Sequence, residues 1–192
     1  MNSPDAVAAA LAAQVDAIGL VFSPSVRRVD VDQAAQLAAP ARGRVTLVAV
    51  TLHPSQALVD AIIARFKPDA LQTDLADFDG LQLPQSLARL PVLRAAVAPG
   101  VRPPARLLFE GARSGSGESA DWDAAGRLAR DSELILAGGL TAANVAAAIE
   151  RVQPHGVDVS SGVESAPGCK SAPLIEEFVQ AARAGFRARQ RD

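Results

Sequence analysis

The sequence predicts an α/β protein built on a parallel sheet, and three observations carry that prediction. Short apolar runs alternate with segments of helical period along the chain. Several of these runs are continuous in Val, Leu, Ile and Ala, as strands buried on both faces are. Near the end, "LILAGGLTAANVAAAIERVQPHGVDVSSGVE" reads strand, glycine turn, helix, strand, glycine turn. With 192 residues, 49% of them hydrophobic and 21% charged, the chain can bury one sizeable core, so a single domain over residues 1–192 is expected.

In chain order, "SPDAVAAALAAQ" opens a helix, with Ser3 as its cap and Pro4 at the first helical position, where a missing N–H costs nothing. Strands are predicted at "DAIGLVF" (16–22) and "RVTLVAVTL" (44–52). "HPSQALVDAIIARF" follows as a helix with Ala57, Leu58, Ala61 and Ile62 on one stripe. "DALQTDL" (69–75) is the next strand, "LQLPQSLARLP" carries at most a short helix, and "PVLRAAV" (91–97) is again a strand. "APGVRPPARL" has too much proline for a helix and leads into the strand "ARLLFEG" (105–111). "LILAGG" (134–139) and "GVDVSSG" (156–162) complete seven strands. Between them "TAANVAAAIERV" places Val145, Ala148, Ile149 and Val152 on one face, and a last helix starts near Pro173.

Charge and cysteine usage exclude several functions. The formal net charge is −2 and basic residues are scattered except in the tail "RAGFRARQRD", read as a solvated helix end, so no nucleic-acid face is implied. The single cysteine, Cys169, excludes an internal disulfide and suits a reducing cytoplasm. No apolar run approaches the roughly 18 residues of a membrane span, and the N-terminus lacks a signal pattern. A cytoplasmic protein without a membrane partner is the expectation. His53 and His155 fit no metal or triad spacing and read as surface or turn residues, so no metal is expected.

Alternation alone fits either a doubly wound sheet or a (β/α)8 barrel, and the strand ends favour the barrel. Barrel sites are built from loops at the C-terminal ends of the strands, with phosphate often held after the last two. Gly138, Gly139 and Gly162 allow backbone N–H groups to approach an oxyanion, Ser160 and Ser161 add hydroxyls, and a helix starting at Thr141 would add its N-terminal partial charge. The plainer reading of each glycine is a tight turn.

"DAIGLVF", "LILAGGLTAANVAAAI" and above all "GVDVSSGVESAPGCK" resemble the phosphoribosylanthranilate isomerase family of tryptophan biosynthesis, over nearly the whole chain and less in its middle. The resemblance implies a (β/α)8 TIM barrel, no cofactor, a small phosphorylated substrate and an Amadori rearrangement. In that reaction a general acid opens the ribosylamine ring and a general base takes the C2′ proton of the Schiff base. Residue by residue, it implies phosphate on Gly138, Gly139, Ser161 and Gly162, Asp158 facing the substrate, with a structural partner for a neighbouring loop as the equal alternative, and Arg27, less so Arg28, for the anthranilate carboxylate. The family's acid is an aspartate; this chain has Glu110 in "LLFEG". Gln72 is kept in "LQTDL", but the histidine that follows it in the family is absent, and Gly-Gly-Thr-Gly becomes "SGSG" at Ser114 to Gly117, a candidate mobile loop. Cys169 lies in the variable part of "PGCK" and does not match the catalytic cysteine.

The family opens with a strand ending in Lys-x-Cys-Gly, whose cysteine is the base. This chain starts at Met1 inside the first helix, so that strand lies outside the sequence, in keeping with seven strands where a closed barrel has eight. The expectation is that Met1 is an internal methionine taken for the initiator; the rival is a truncated chain, with the gap closed by dimerisation or the site abandoned. The state expected is monomer or homodimer. The alternative function is a catalytically impaired relative that binds a phosphorylated sugar or a partner protein.

Overall fold

In the computed structural model, which describes residues 1–94, 102–111 and 121–189, seven sheet strands succeed one another in chain order. Contacts divide the chain into two units, Met1–Pro91 with Ala166–Ala172, and Val92–Ser165 with Pro173–Asp192.

The first unit starts at α1 (Pro4–Ala12), where Ser3 Oγ accepts the Ala6 N–H at 3.2 Å, the cap read from the sequence. β1 (Ala17–Val21), β2 (Thr46–Val50) and β3 (Ala70–Asp74) pair in parallel, Ala17 opposite Thr46 and Val48 opposite Ala70. α2 (Val31–Ala38) is capped reciprocally: Asp30 accepts the Gln33 N–H at 2.8 Å, and Gln33 accepts the Asp30 N–H at 3.1 Å. α3 (Gln56–Ala61) loosens into a π turn over Ile62–Phe66, ended by Lys67 at φ 52° and by Arg42, which donates to the Phe66 and Lys67 carbonyls. That helix buries the predicted stripe in part: Ile62 is fully buried, Leu58 packs half-buried against the core, Ala61 is half-buried and Ala57 is exposed. Val59, Ile62 and Phe66 are buried while Ala57 is exposed, because the larger side chains fill the space over the sheet. Ile18, Leu20, Leu47, Ala49 and Leu71 meet them from the strands, and the Phe22 and Phe66 rings stand 5.6 Å apart.

The stretch "LQLPQSL" holds no helix. It turns through Pro84, whose carbonyl accepts the Leu87 N–H, and β4 (Ala88–Leu93) starts three residues earlier than read, because the Ala88 N–H finds the Asp69 carbonyl at 3.0 Å.

In the second unit β4, β5 (Arg106–Phe109), β6 (Glu133–Leu136) and β7 (Gly156–Val157) pair in parallel. α4 (Trp122–Leu128) is capped by Asp121. α5 (Val145–Val152) buries the predicted Val145, Ala148, Ile149 and Val152, and α6 (Ala172–Arg189) buries Ile175, Phe178 and Ala182. Two boundaries differ from the sequence reading. The strand read over 156–162 stops at Val157, where the chain swings through Ser160 (ψ −82°) into a 3₁₀ turn, Ser161–Val163. The helix read from Thr141 begins at Val145. A ribbon not foreseen pairs β8 (Glu164–Ala166) with β9 (Cys169–Lys170), turning at Gly168 with φ 82°. No helix among the described residues is long and apolar enough to cross a membrane.

Phe66 is fully buried in the core cluster beside the Phe22 ring, so Phe66→Ala should cost about 3–5 kcal/mol in urea unfolding, whereas Leu52→Ala at an exposed position should stay within about 0.5 kcal/mol.

Candidate active site

Four backbone N–H groups define the centre of the site. Gly138 and Gly139 lie at φ 88° and 65°, a left-handed pair that only glycine adopts without strain, and the turn follows directly from buried β6. Among the described residues the N–H groups of Gly138, Gly139, Ser161 and Gly162 meet no protein acceptor. Open donors on successive left-handed residues and at the start of a 3₁₀ turn are an arrangement able to receive an oxyanion.

The two turns are locked to each other. A Cβ on Gly162 would stand 1.9 Å from the Leu140 carbonyl oxygen, so only glycine lets the second turn lie on the first. Asn144 fixes the first turn from below: its Oδ1 accepts the Thr141 N–H at 2.8 Å and its Nδ2 donates to the Gly139 carbonyl at 2.9 Å. This is why the helix starts late, and it corrects the expected role of Thr141, whose N–H is already committed. Sequence reading missed Asn144. The signal was an Asn, a residue that favours helix boundaries, within what was read as helix interior.

Next along the same edge stand the carboxylates. Glu110 follows β5 directly and forms an ion pair with Arg94, which follows β4; the two side chains are 13% and 26% exposed. Arg94 was not singled out from sequence, although a cation closing an apolar strand in "PVLR" was visible. Asp158 is exposed, and its N–H donates to the Leu136 carbonyl at 2.8 Å, the last rung of the β6–β7 ladder. The register sets Gly138 one residue beyond the level of Glu110, so the structure brings Glu110, Gly138, Gly139, Asp158, Ser161 and Gly162 to the C-terminal ends of neighbouring strands.

Arg27 belongs to the first unit, in the tight loop after β1, where its N–H is held by Ser25 Oγ at 3.1 Å. It is half-buried and Arg28 is exposed. His53 is a turn residue, as read, at φ 47°. Asp77 fixes it, accepting from the His53 backbone at 3.0 Å and contacting ring Nδ1 at 2.8 Å, and it also accepts from Thr73. Cys169 is exposed on the ribbon. The "SGSG" loop lies outside the described residues, and among those described no cluster of His, Cys, Asp and Glu could hold a metal.

Two outcomes follow from these contacts. Gly162→Ala must push the Leu140 carbonyl aside and should cost at least about 1–3 kcal/mol in denaturant unfolding, while Gly156→Ala, whose methyl would meet Ile135 at 3.8 Å, should fold nearly as well as wild type. Burial pushes the Asp77 carboxyl up, but the Thr73 and His53 hydrogen bonds and the His53 charge outweigh it and hold it below its ordinary 3.8. The stability Asp77 gives is therefore full above that ordinary value and lost as pH falls through the depressed native one. The stability gap between wild type and Asp77→Asn should be full near about pH 5 and narrow below about pH 4, read by urea unfolding.

A family model described as N-(5′phosphoribosyl)anthranilate (PRA) isomerase matches residues 1–181. The N-(5′-phosphoribosyl)anthranilate isomerase of Afipia carboxidovorans is 39% identical over 209 residues, covering 96% of this chain and 87% of the relative. The crystal structure of phosphoribosyl anthranilate isomerase from Thermus thermophilus is similar at a TM-score of 0.81 and 24% identity, covering 96% of each chain. A phosphoribosyl anthranilate isomerase in complex with reduced 1-(o-carboxyphenylamino)-1-deoxyribulose 5-phosphate is similar at a TM-score of 0.77 and 22% identity, covering 96% of this chain and 95% of that one. The fold class expected from the sequence is thus that of its structural neighbours. With the match running through both glycine turns and the Glu110 strand end, the chain belongs to the N-(5′-phosphoribosyl)anthranilate isomerase family.

Proposed function

We propose that this chain converts N-(5′-phosphoribosyl)anthranilate to 1-(2-carboxyphenylamino)-1-deoxyribulose 5-phosphate in tryptophan biosynthesis, as one domain over residues 1–192 in the cytoplasm. The observation that carries the reading is the family match over residues 1–181, continuous across both units and across every proposed site residue.

The substrate phosphate takes the open N–H groups of Gly138, Gly139, Ser161 and Gly162, where four oriented donors replace its water. Arg27 pairs with the anthranilate carboxylate, for which a planar guanidinium is the matching fork. Asp158, on the edge that carries the phosphate turns, faces the sugar. Glu110 gives a proton to the ring oxygen of the ribosylamine; the C1′–O bond breaks and the nitrogen lone pair closes the Schiff base. A general base, which the family resemblance identifies as the cysteine of Lys-x-Cys-Gly, then takes the C2′ proton; the C2′–H pair becomes the C1′–C2′ double bond, the Schiff-base π electrons return to nitrogen, and the enol so formed tautomerises to the ketose.

Growth of a tryptophan auxotroph lacking this isomerase tests the reading, and absence of growth with soluble protein present would refute it. In purified enzyme Arg27→Ala should raise KM about 10-fold or more with kcat little changed, and Glu110→Gln should lower kcat about 100-fold or more; the reverse pattern would show the roles to be exchanged.

A further inference from the structure

We propose that Arg94 is the positioning residue of the Glu110 proton transfer, its guanidinium fixing the carboxyl group and balancing the charge left on it when the proton reaches the substrate. The inference deepens the isomerase reading and rests on it.

Sheet register makes the pair. Val92 lies opposite Leu108 and Leu93 opposite Phe109, so Arg94 and Glu110 are the next residues on two parallel neighbours. The Glu110 N–H donates to the Leu93 carbonyl at 3.1 Å, which carries the ladder one step past the end of β5. Arg94 Nη1 donates to Glu110 Oε1 at that step. On the other flank of β5 the Ala137 N–H donates to the Phe109 carbonyl, so β6 offers Ala137 and Gly138 at this level, and neither is charged. Arg94 is therefore the charged group that the paired strands set against Glu110.

Burial distinguishes this pair from the other ion pair on β5. Arg106 and Glu133, at the N-terminal ends of β5 and β6, are 55% and 49% exposed and share their charge with water. With Glu110 only 13% exposed, water screens little and the charge-assisted bond orients strongly. Orientation matters because glutamate has one more rotatable bond than the aspartate that the family resemblance places here, and a reacting group displaced by about 1 Å costs about 100-fold in rate. The contact on Oε1 removes that freedom. The carboxylate that remains sits beside a fixed cation.

Three variants test this: Arg94→Gln, Arg94→Lys and Glu110→Gln. A ¹³C NMR titration of the Glu110 carboxyl reads the pair without any turnover. In Arg94→Gln the carboxyl should titrate roughly one pH unit or more above wild type, since an adjacent cation favours the charged form. In turnover the same variant should lose about 10-fold or more in kcat with KM within about threefold, and Arg94→Lys, which keeps the charge without the fork, should fall between. Coincident titrations in wild type and Arg94→Gln, or an unchanged kcat in folded protein, would overturn the inference. If Arg94→Gln does not fold, Arg94→Met serves with the same expected shifts. Wild-type kcat in Glu110→Gln would remove Glu110 from the chemistry and sink the reading beneath; an inactive Glu110→Gln beside an Arg94→Gln of wild-type titration and kcat would sink only the role of Arg94.

Discussion

Parallel pairing in register is the constraint from which the candidate site follows. In the second unit Leu93, Phe109, Leu136 and Val157 stand side by side, each opposite the next. The residues one step further on, Arg94, Glu110, Ala137 and Asp158, therefore emerge along a single edge without any of them being close in sequence. A shift of one residue in β5 would draw Arg106 or Glu110 to the level where Leu107, Leu108 and Phe109 are buried, and burying that charge opposes the slip. Core packing and site geometry are thus the same requirement seen from two ends of a strand.

Beyond that edge the backbone itself presents the open donors. Gly138 and Gly139 adopt positive φ, Gly162 allows its turn to lie on the Leu140 carbonyl, and Asn144 ties both flanks of the first turn. Each turn is anchored, the second lying on the Leu140 carbonyl and the first followed by fully buried Val145 at the start of α5. Preorganised donors of this kind need little reordering on binding. The helix dipole contributes less than the sequence suggests, since α5 begins after the cradle and Thr141 is bonded to Asn144.

The first unit shows the same economy of strand ends with a different chemistry. Thr73, at the end of β3, and His53, after β2, converge on the Asp77 carboxylate, which thereby satisfies several donors in a loop region. His53 takes its left-handed conformation because its N–H must point at Asp77, a conformation that His tolerates better than most residues. Here a titratable constellation is explained by loop anchoring, and the expectation that His53 is a turn residue holds for that reason.

Local patterns in the sequence determined much of this: the seven apolar runs, the Ser3–Pro4 helix start, the buried face Val145, Ala148, Ile149 and Val152, and the glycine turns all express periodicity or a single residue's backbone freedom. Such features need only near neighbours, and the family resemblance was legible because it too lies in contiguous runs. What the tertiary structure alone decided are the pairings across strands and turns. Arg94 meets Glu110 from 16 residues away, Gly162 meets Leu140, Asn144 recruits Gly139 and Thr141, and β7 stops at Val157 because Asp158 makes the last ladder bond. A hydrogen bond between distant residues leaves no period in the sequence; it exists only once register and turn geometry have brought donor and acceptor to the same place.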